Sequence, residues 1–173
     1  MSNSIVFIAD AFAEQINGGG ELNNEELIIL LAQKNYNVLR VNSHLCNVKL
    51  LKNNKDNFFI VANFIYLSDA CKEYLMESCR YVIYEHDHKY LKTRNPADYI
   101  NYIAPKQDLT NVSFYKRAVA TLCQSSFHKN ILLSNIPHIL TCNLSGNLWS
   151  LATMDLLRKF AGKQKKNACS VMN

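Results

Sequence analysis

Short apolar runs alternate along the chain with longer segments whose apolar residues follow helical spacing. The first run, Ile5–Ala9, is continuous and β-branched, which is typical of a strand covered on both faces of a parallel sheet. Because helical segments separate the runs, we expect parallel pairing through right-handed crossovers. The predicted strands are Ile5–Ala9, Val38–Val41, Phe58–Ala62, Tyr81–Tyr84, Val119–Leu122 and Ile139–Thr141.

Helix signals fill most of the segments between these strands. Ser68 is a typical N-cap residue, and Ser125 or Ser126 opens a later helix. The polar and aromatic segment from about Glu85 to Asp108 is predicted to be a loop, and a loop of that length is usually functional or mobile. The predicted helices are Glu21–Lys34, Ser68 through Leu75, a short one from Asn111, one ending at Leu133, and Leu148–Phe160.

This alternation predicts an α/β fold, a Rossmann-like doubly wound parallel sheet of about six strands with helices on both faces. The chain has 173 residues, of which 49% are hydrophobic and 19% charged, and this balance is typical of a globular domain. We assign residues 1–161 to that domain. Residues 162–173 are interpreted as a basic linker followed by the possible first strand of a missing C-terminal domain.

The composition argues against several classes of protein. No apolar run reaches the roughly 18–20 residues that a transmembrane helix needs. The N-terminus lacks the basic start and long apolar core of a secretory signal, so we expect a cytoplasmic location. The six cysteines include no C-x-x-C pair and are expected to be buried free thiols.

The net charge of +5 comes largely from two local clusters of basic residues. Lys89, Lys92 and Arg94 form one, and the C-terminal end carries the other. A basic surface attracts nucleic acid, anionic lipid or phosphate-bearing ligands. The excess is too small and too scattered to indicate nucleic-acid binding, so a solvated face is the default interpretation.

Ligands of a doubly wound sheet bind beyond the carboxyl ends of the strands, and three polar segments are predicted to lie there. The first contains Gly18, Gly19, Gly20 and Glu21, between strand one and helix one. Glycine allows close approach of a ligand to the backbone, and a helix N-terminus suits a phosphate or carboxylate. The segment matches neither the G-x-G-x-x-G fingerprint nor a Walker A motif, so a simple flexible turn is an equally good interpretation.

The second segment, Glu85 to His88, follows strand four directly. His86 beside Asp87 could act as a base with its orienting acid. His86 and His88 could instead bind a metal with an acid, because their spacing aims both to one side if the strand continues. A polar structural loop is the third interpretation. No further group of strong ligands occurs elsewhere in the sequence, so no metal site is assigned.

The third segment, Cys123 to Lys129, follows strand five and contains Ser125 and Ser126. Serine at the start of a helix is commonly just a cap. The chain has no G-x-S-x-G elbow, so a serine hydrolase is not indicated.

In this order the segments resemble the N-terminal domain of GT-B glycosyltransferases, within the retaining group that includes glycogen synthases and mannosyltransferases. The residues Gly18 to Glu21 resemble that superfamily's glycine motif before its first helix. The resemblance covers nearly the whole chain. The segments that also match, in order, are Ala32–Val38 for the turn into strand two, Tyr84–His88 for the His-Asp element, Val119–Lys129 for the strand and Ser-x-Phe-x-Lys helix, and Ile136-Pro137 with Thr141–Asn143 for the approach to the hinge.

The resemblance implies two Rossmann-like domains that enclose a cleft. The N-terminal domain would hold a glycan or other hydroxyl acceptor, and the missing C-terminal domain would hold the nucleotide-sugar donor and a paired-Glu motif. The donor is a co-substrate, and no cofactor or metal is implied; the chain alone is expected to be inactive. The implied site residues are His86 and Asp87 near the reacting sugar, Gly18, Gly19, Gly20 and Glu21 near the donor phosphates, and His88, Ser126 and Lys129 as substrate contacts.

Two other functions remain open on the sequence. The chain could be a non-catalytic binding module with a Rossmann-like or flavodoxin-like fold, using the same glycine segment for an anionic ligand or a protein partner. It could also be a metal-dependent hydrolase that uses His86 and His88, which predicts stoichiometric metal in the purified protein.

Overall fold

Six parallel strands form a single sheet at the centre of the molecule. The computed structural model describes residues 3–161 of the chain. The spatial order of the strands is 2-1-3-4-5-6, and every neighbouring pair is parallel. This confirms the predicted α/β, Rossmann-like doubly wound fold. The strands are β1 (Ser4–Ala9), β2 (Asn37–Asn42), β3 (Phe58–Val61), β4 (Arg80–Glu85), β5 (Ala120–Cys123) and β6 (Thr141–Asn143).

Helices connect the strands and cover both faces of the sheet. Short 3₁₀ turns follow β2 and occur between β4 and the fourth helix. The α-helices are α1 (Gly19–Gln33), α2 (Val48–Asn53), α3 (Asp69–Ser78), α4 (Val112–Arg117), α5 (Ser126–Asn135) and α6 (Leu151–Ala161).

The two faces of the sheet carry separate hydrophobic cores. Ile8 of β1 packs in one core with Leu75 of α3 and Leu132 of α5. The neighbouring strand residue Phe7 packs in the other core with Ile28 of α1. The chain moves outward from β1 to β2, then returns past β1 to β3. Right-handed crossovers in these opposite directions place α1 on one face and α2 to α5 on the other.

The predicted strands lie within two residues of the observed ones at every end. The short helix α2 was not predicted. The long segment after β4 is not an open loop, because backbone hydrogen bonds join its two ends. Lys92 donates its N–H to the carbonyl of Asp108 at 3.0 Å, and Leu91 forms an antiparallel bridge with Leu109.

The prediction that the cysteines are buried free thiols is correct for some of them. Cys46, Cys71 and Cys123 are buried free thiols, and Cys79 is partly buried. It is wrong for Cys142, which is exposed on the short edge strand β6. The sixth cysteine, together with the predicted linker and strand at 162–173, lies outside the described residues. Across residues 3–161, no helix combines the length and apolar character needed to cross a membrane.

Candidate functional site

The strand order reverses at β1, and this reversal locates the candidate site. The chain leaves β1 toward β2 on one side and β3 lies on the other side. The loops after β1 and β3 therefore diverge at the carboxyl edge and leave a crevice, which is where ligands of doubly wound folds bind. The glycine segment after β1 and His86 after β4 both reach this crevice.

Gly20 faces His86 directly across the crevice. A Cβ atom placed on Gly20 would lie 3.5 Å from Nδ2 of Asn63 and 3.9 Å from Cγ of His86. A Cβ on Gly19 would meet nothing within 4 Å. The structure thus brings together two predicted segments that are more than sixty positions apart in the sequence, and leaves their junction free of side-chain bulk.

Gly18 and Glu21 form the start of α1. Gly18 is the N-cap residue, and a Cβ there would overlap the Glu21 carboxylate, which folds back over this end of the helix. The same carboxylate accepts a hydrogen bond from Nδ2 of Asn63 at 3.2 Å. Its negative charge interacts favourably with the positive end of the helix dipole. Glu21 therefore links the glycine segment to the loop after β3.

Two amide side chains hold the ring of His86. Its Nε2 lies 2.9 Å from Oδ1 of Asn24, and its Nδ1 lies 2.9 Å from Nε2 of Gln124. Because Gln124 can only donate from that nitrogen, the amide orientations assign the proton to Nε2 of a neutral ring. Burial, and then the positive charge of Lys89, lower the pKa of His86 to about 4, so the ring is uncharged near neutral pH.

Asp87 contacts basic side chains and makes no bond to the His86 ring among the described contacts. Its carboxylate pairs with the Lys89 ammonium, and its Oδ2 lies 3.2 Å from Nη1 of Arg94. The neighbouring Glu85 is fully buried and accepts the Asp87 N–H at 3.0 Å and the hydroxyl of Tyr115. Burial alone would raise the pKa of Glu85, but Lys89 and the Tyr115 hydrogen bond together hold that pKa below its usual value.

His88 and His86 do not converge on a common point. The strand ends at Glu85, and His88 has a φ of 54°, so the condition for aiming both rings to one side is not met. The Nδ1 of His88 lies 2.8 Å from the Tyr90 hydroxyl, and its ring packs 4.2 Å from that of His128. Burial, and then His128, lower the pKa of His88 to about 4. Within the described part of the chain, no three acidic, histidine or cysteine side chains are grouped to hold a metal ion.

Ser125, rather than Ser126, caps helix α5. The hydroxyl oxygen of Ser125 accepts the N–H of His128 at 3.1 Å, while Ser126 is the exposed first residue of the helix. Lys129 lies one turn further along α5 and is partly exposed. The preceding residue Gln124 connects this segment to the crevice, through its bond to His86.

Sequence reasoning missed four polar residues that shape the crevice. Asn24, Asn63 and Gln124 surround the glycine segment and His86, as described above. The fourth, Asp10, follows β1 directly and accepts the N–H groups of Ile65 and Tyr66 at 3.0 and 3.1 Å. Asp10 could have been found, because it follows a buried strand in the same way as His86 does.

Two buried polar atoms at the crevice have no protein partner among the described residues: Nδ2 of Asn24 and Oδ1 of Asn63. Asn24 is 0% exposed. Buried polar atoms are nearly always hydrogen-bonded, to protein or to an ordered water or ligand. One donor and one acceptor are therefore available beside Gly20 and His86.

Comparison of the sequence with known protein families finds no matching family. A search of curated proteins also finds no match.

Proposed function

We propose that this chain is the acceptor-side domain of a cytoplasmic, nucleotide-sugar-dependent glycosyltransferase. The observation that carries the proposal is the meeting of Gly20 with His86 at the reversal of the strand order. A glycine turn at a helix start admits an anionic diphosphate close to the backbone. A neutral histidine at the same point supplies a directional hydrogen bond to an uncharged sugar hydroxyl.

The proposed role of His86 is to orient the substrate. The role of a general base, which the sequence suggested for His86, fits poorly, because a ring with a pKa of about 4 is a weak base near neutral pH. A sugar hydroxyl could replace one of the two amide partners of the ring. Asn24 and Asn63 offer the unpartnered donor and acceptor for a neighbouring hydroxyl. Asp87, His88, Ser126 and Lys129 stay predicted contacts.

The proposed reaction transfers one glycosyl group. The oxygen of the acceptor hydroxyl forms a bond to the anomeric carbon, and the bond from that carbon to the diphosphate oxygen breaks. The nucleoside diphosphate leaves with the electron pair, and the hydroxyl proton passes to a base or to solvent. A second Rossmann-like domain would close over the crevice, exclude water and supply the paired glutamates.

The test is a transfer assay on the complete polypeptide that carries this domain. A panel of nucleotide sugars is incubated with mixed glycan acceptors, and the release of nucleoside diphosphate is measured. His86→Ala should lower the rate at least about 100-fold, comparable to loss of one well-placed hydrogen-bonding group at a reacting centre. The control is His138→Asn, because His138 is exposed near the amino end of β6 and has a φ of 65°, which asparagine tolerates. Full activity of a folded His86→Ala protein would remove His86 from the mechanism.

A second candidate, a non-catalytic binding module, is favoured by one observation. Both ring nitrogens of His86 are already bonded within the protein. If the chain is a binding module, a nucleotide or nucleotide sugar would bind at the crevice. The complete polypeptide would then show no turnover with any acceptor. Turnover that depends on His86 would exclude it.

A further inference from the structure

A second concave feature lies at the carboxyl edge of the sheet, between the loops that follow β3 and β4. It is a cavity of about 310 Å³, at the small end of the range for ligand sites. Four basic side chains line it, and no acidic residue of the described chain does. The polar lining is Lys72, Lys89, Lys92, Arg94, Thr110 and Asn111.

The positive charges of the cavity are incompletely neutralised by their neighbours. Lys89 and Arg94 both pair with the carboxylate of Asp87, and Lys89 also pairs with that of Glu85. Lys72 pairs with the exposed Asp69 at 3.2 Å. Lys92 has no acidic partner within the described residues. The lining therefore presents a net positive charge to whatever enters it.

Lys89 is the clearest sign of a built site. A solvated face was the expectation for its cluster, but this lysine is only 3% exposed. Its ammonium lies 3.9 Å from Oε1 of Glu85 and 5.6 Å from the centre of the Phe64 ring. Burying a charge costs several kcal/mol of desolvation free energy, so a buried charge is uncommon unless it has a structural or functional role. Exclusion of water strengthens the attraction of this ammonium for anionic groups, the Glu85 and Asp87 carboxylates included.

We infer that this cavity binds a phosphate or carboxylate group, which in the proposed enzyme is carried by the sugar acceptor. The assignment to the acceptor rests on the proposed function, whereas the anion site itself does not. The Arg94 guanidinium can bind either group through two parallel hydrogen bonds. Asp87 joins this site to the crevice, because it follows His86 in the chain and pairs with two of the cavity's cations.

The experiment titrates the ¹⁵N-labelled chain with inorganic phosphate and, separately, with sodium acetate at low ionic strength. Amide shifts should be confined to the cavity lining, at Lys92, Thr110 and Asn111. The double variant Lys92→Gln with Arg94→Gln should weaken binding by about tenfold or more, since charged hydrogen bonds are lost. Both side chains are exposed, so the variant should keep its fold and a dispersed spectrum. Added sodium chloride should weaken binding further.

The matched control is Lys55→Gln, because Lys55 is an exposed lysine before the amino end of β3, at the opposite edge of the sheet. Its affinity should equal that of the parent chain. A response to phosphate alone identifies a phosphoryl group, and a response to acetate alone identifies a carboxylate. Absence of binding by both anions, unchanged affinity of the double variant, or shifts confined to Gly18–Gly20 would each overturn the inference. Since no sugar donor is used, such a failure leaves the transfer proposal standing.

Discussion

Two adjacent glycines at the start of α1 differ in what they face. Gly20 lies against Asn63 and His86, whereas a Cβ on Gly19 would enter open space. Both belong to the first turn of a helix, where alanine is intrinsically more stable than glycine. The helix by itself would therefore favour alanine at both positions, and the absence of a side chain at Gly20 needs a reason outside the helix.

We therefore predict opposite effects of Gly20→Ala on stability and on function. The free energy of unfolding should rise by a few tenths to about 1 kcal/mol, because alanine restricts the unfolded chain and its Cβ makes only ordinary contacts at this site. Transfer by the complete enzyme should fall about tenfold or more, because the methyl group fills the space beside His86. Urea denaturation and the release of nucleoside diphosphate measure the two effects.

Gly19→Ala provides the comparison for stability, since it should give a similar gain without a contact to His86. A Gly20→Ala protein that is more stable and retains the full rate of transfer would show that the ligand does not approach this glycine. A destabilised Gly20→Ala protein would show that Asn63 and His86 are too rigid to accommodate the methyl group.

At the scale of elements, the start of α5 explains how Gln124 is held near His86. Ser125 caps the helix, and Gln124 immediately precedes that cap. The cap satisfies a backbone N–H that the helix itself cannot bond. A firm helix start therefore fixes the backbone from which the Gln124 side chain reaches the His86 ring.

Replacement of each serine in turn should show that Ser125 caps helix α5 and that Ser126 does not. Ser125→Ala should lower the free energy of unfolding by about 1 kcal/mol, because His128 loses its hydroxyl acceptor. Ser126→Ala should change it by no more than about 0.5 kcal/mol, because the side chain is exposed and alanine is a good helix former. Urea denaturation of the two variants gives the comparison. Equal losses would mean that the hydroxyl of Ser125 has no special role.

The strands could be predicted from sequence because each contains or adjoins a short run of mainly apolar residues. Five of the six helices follow from caps and helical spacing. Helix α2 could not be predicted, because it has only six residues and its cap, Asn47, resembles many loop asparagines. The rule for carboxyl ends of strands predicted that Gly20 and His86 lie at the same edge of the sheet, but not that they face each other. The partners Asn24 and Gln124 could not be predicted, because a buried asparagine or glutamine on a helix or loop carries no local pattern, and only the tertiary fold brings it to His86.

At the scale of the whole molecule, three neighbouring histidines make stability depend on pH. Burial is the main cause that lowers the pKa values of His86, His88 and His128. These rings stay neutral in the folded protein at a pH where the unfolded chain is already protonated. The unfolded state then binds more protons, so the free energy of unfolding falls as the pH drops from about 6.5 toward 4.

The contribution of His86 can be measured as a difference between two proteins in the slope of the free energy of unfolding against pH. A shift from 6.5 to about 4 corresponds to a loss of about 2 kcal/mol between pH 7 and pH 5, at about 1.4 kcal/mol for each pKa unit. His86→Gln removes this proton uptake by the unfolded chain. Between pH 7 and pH 5 the free energy of unfolding of the variant should therefore fall by about 1–2 kcal/mol less than that of the parent chain. Urea denaturation of the parent chain and of the variant at each pH checks the difference. Parallel slopes for the parent and His86→Gln would mean that the ring is protonated equally in both states, which would also remove the neutral histidine from the proposed site.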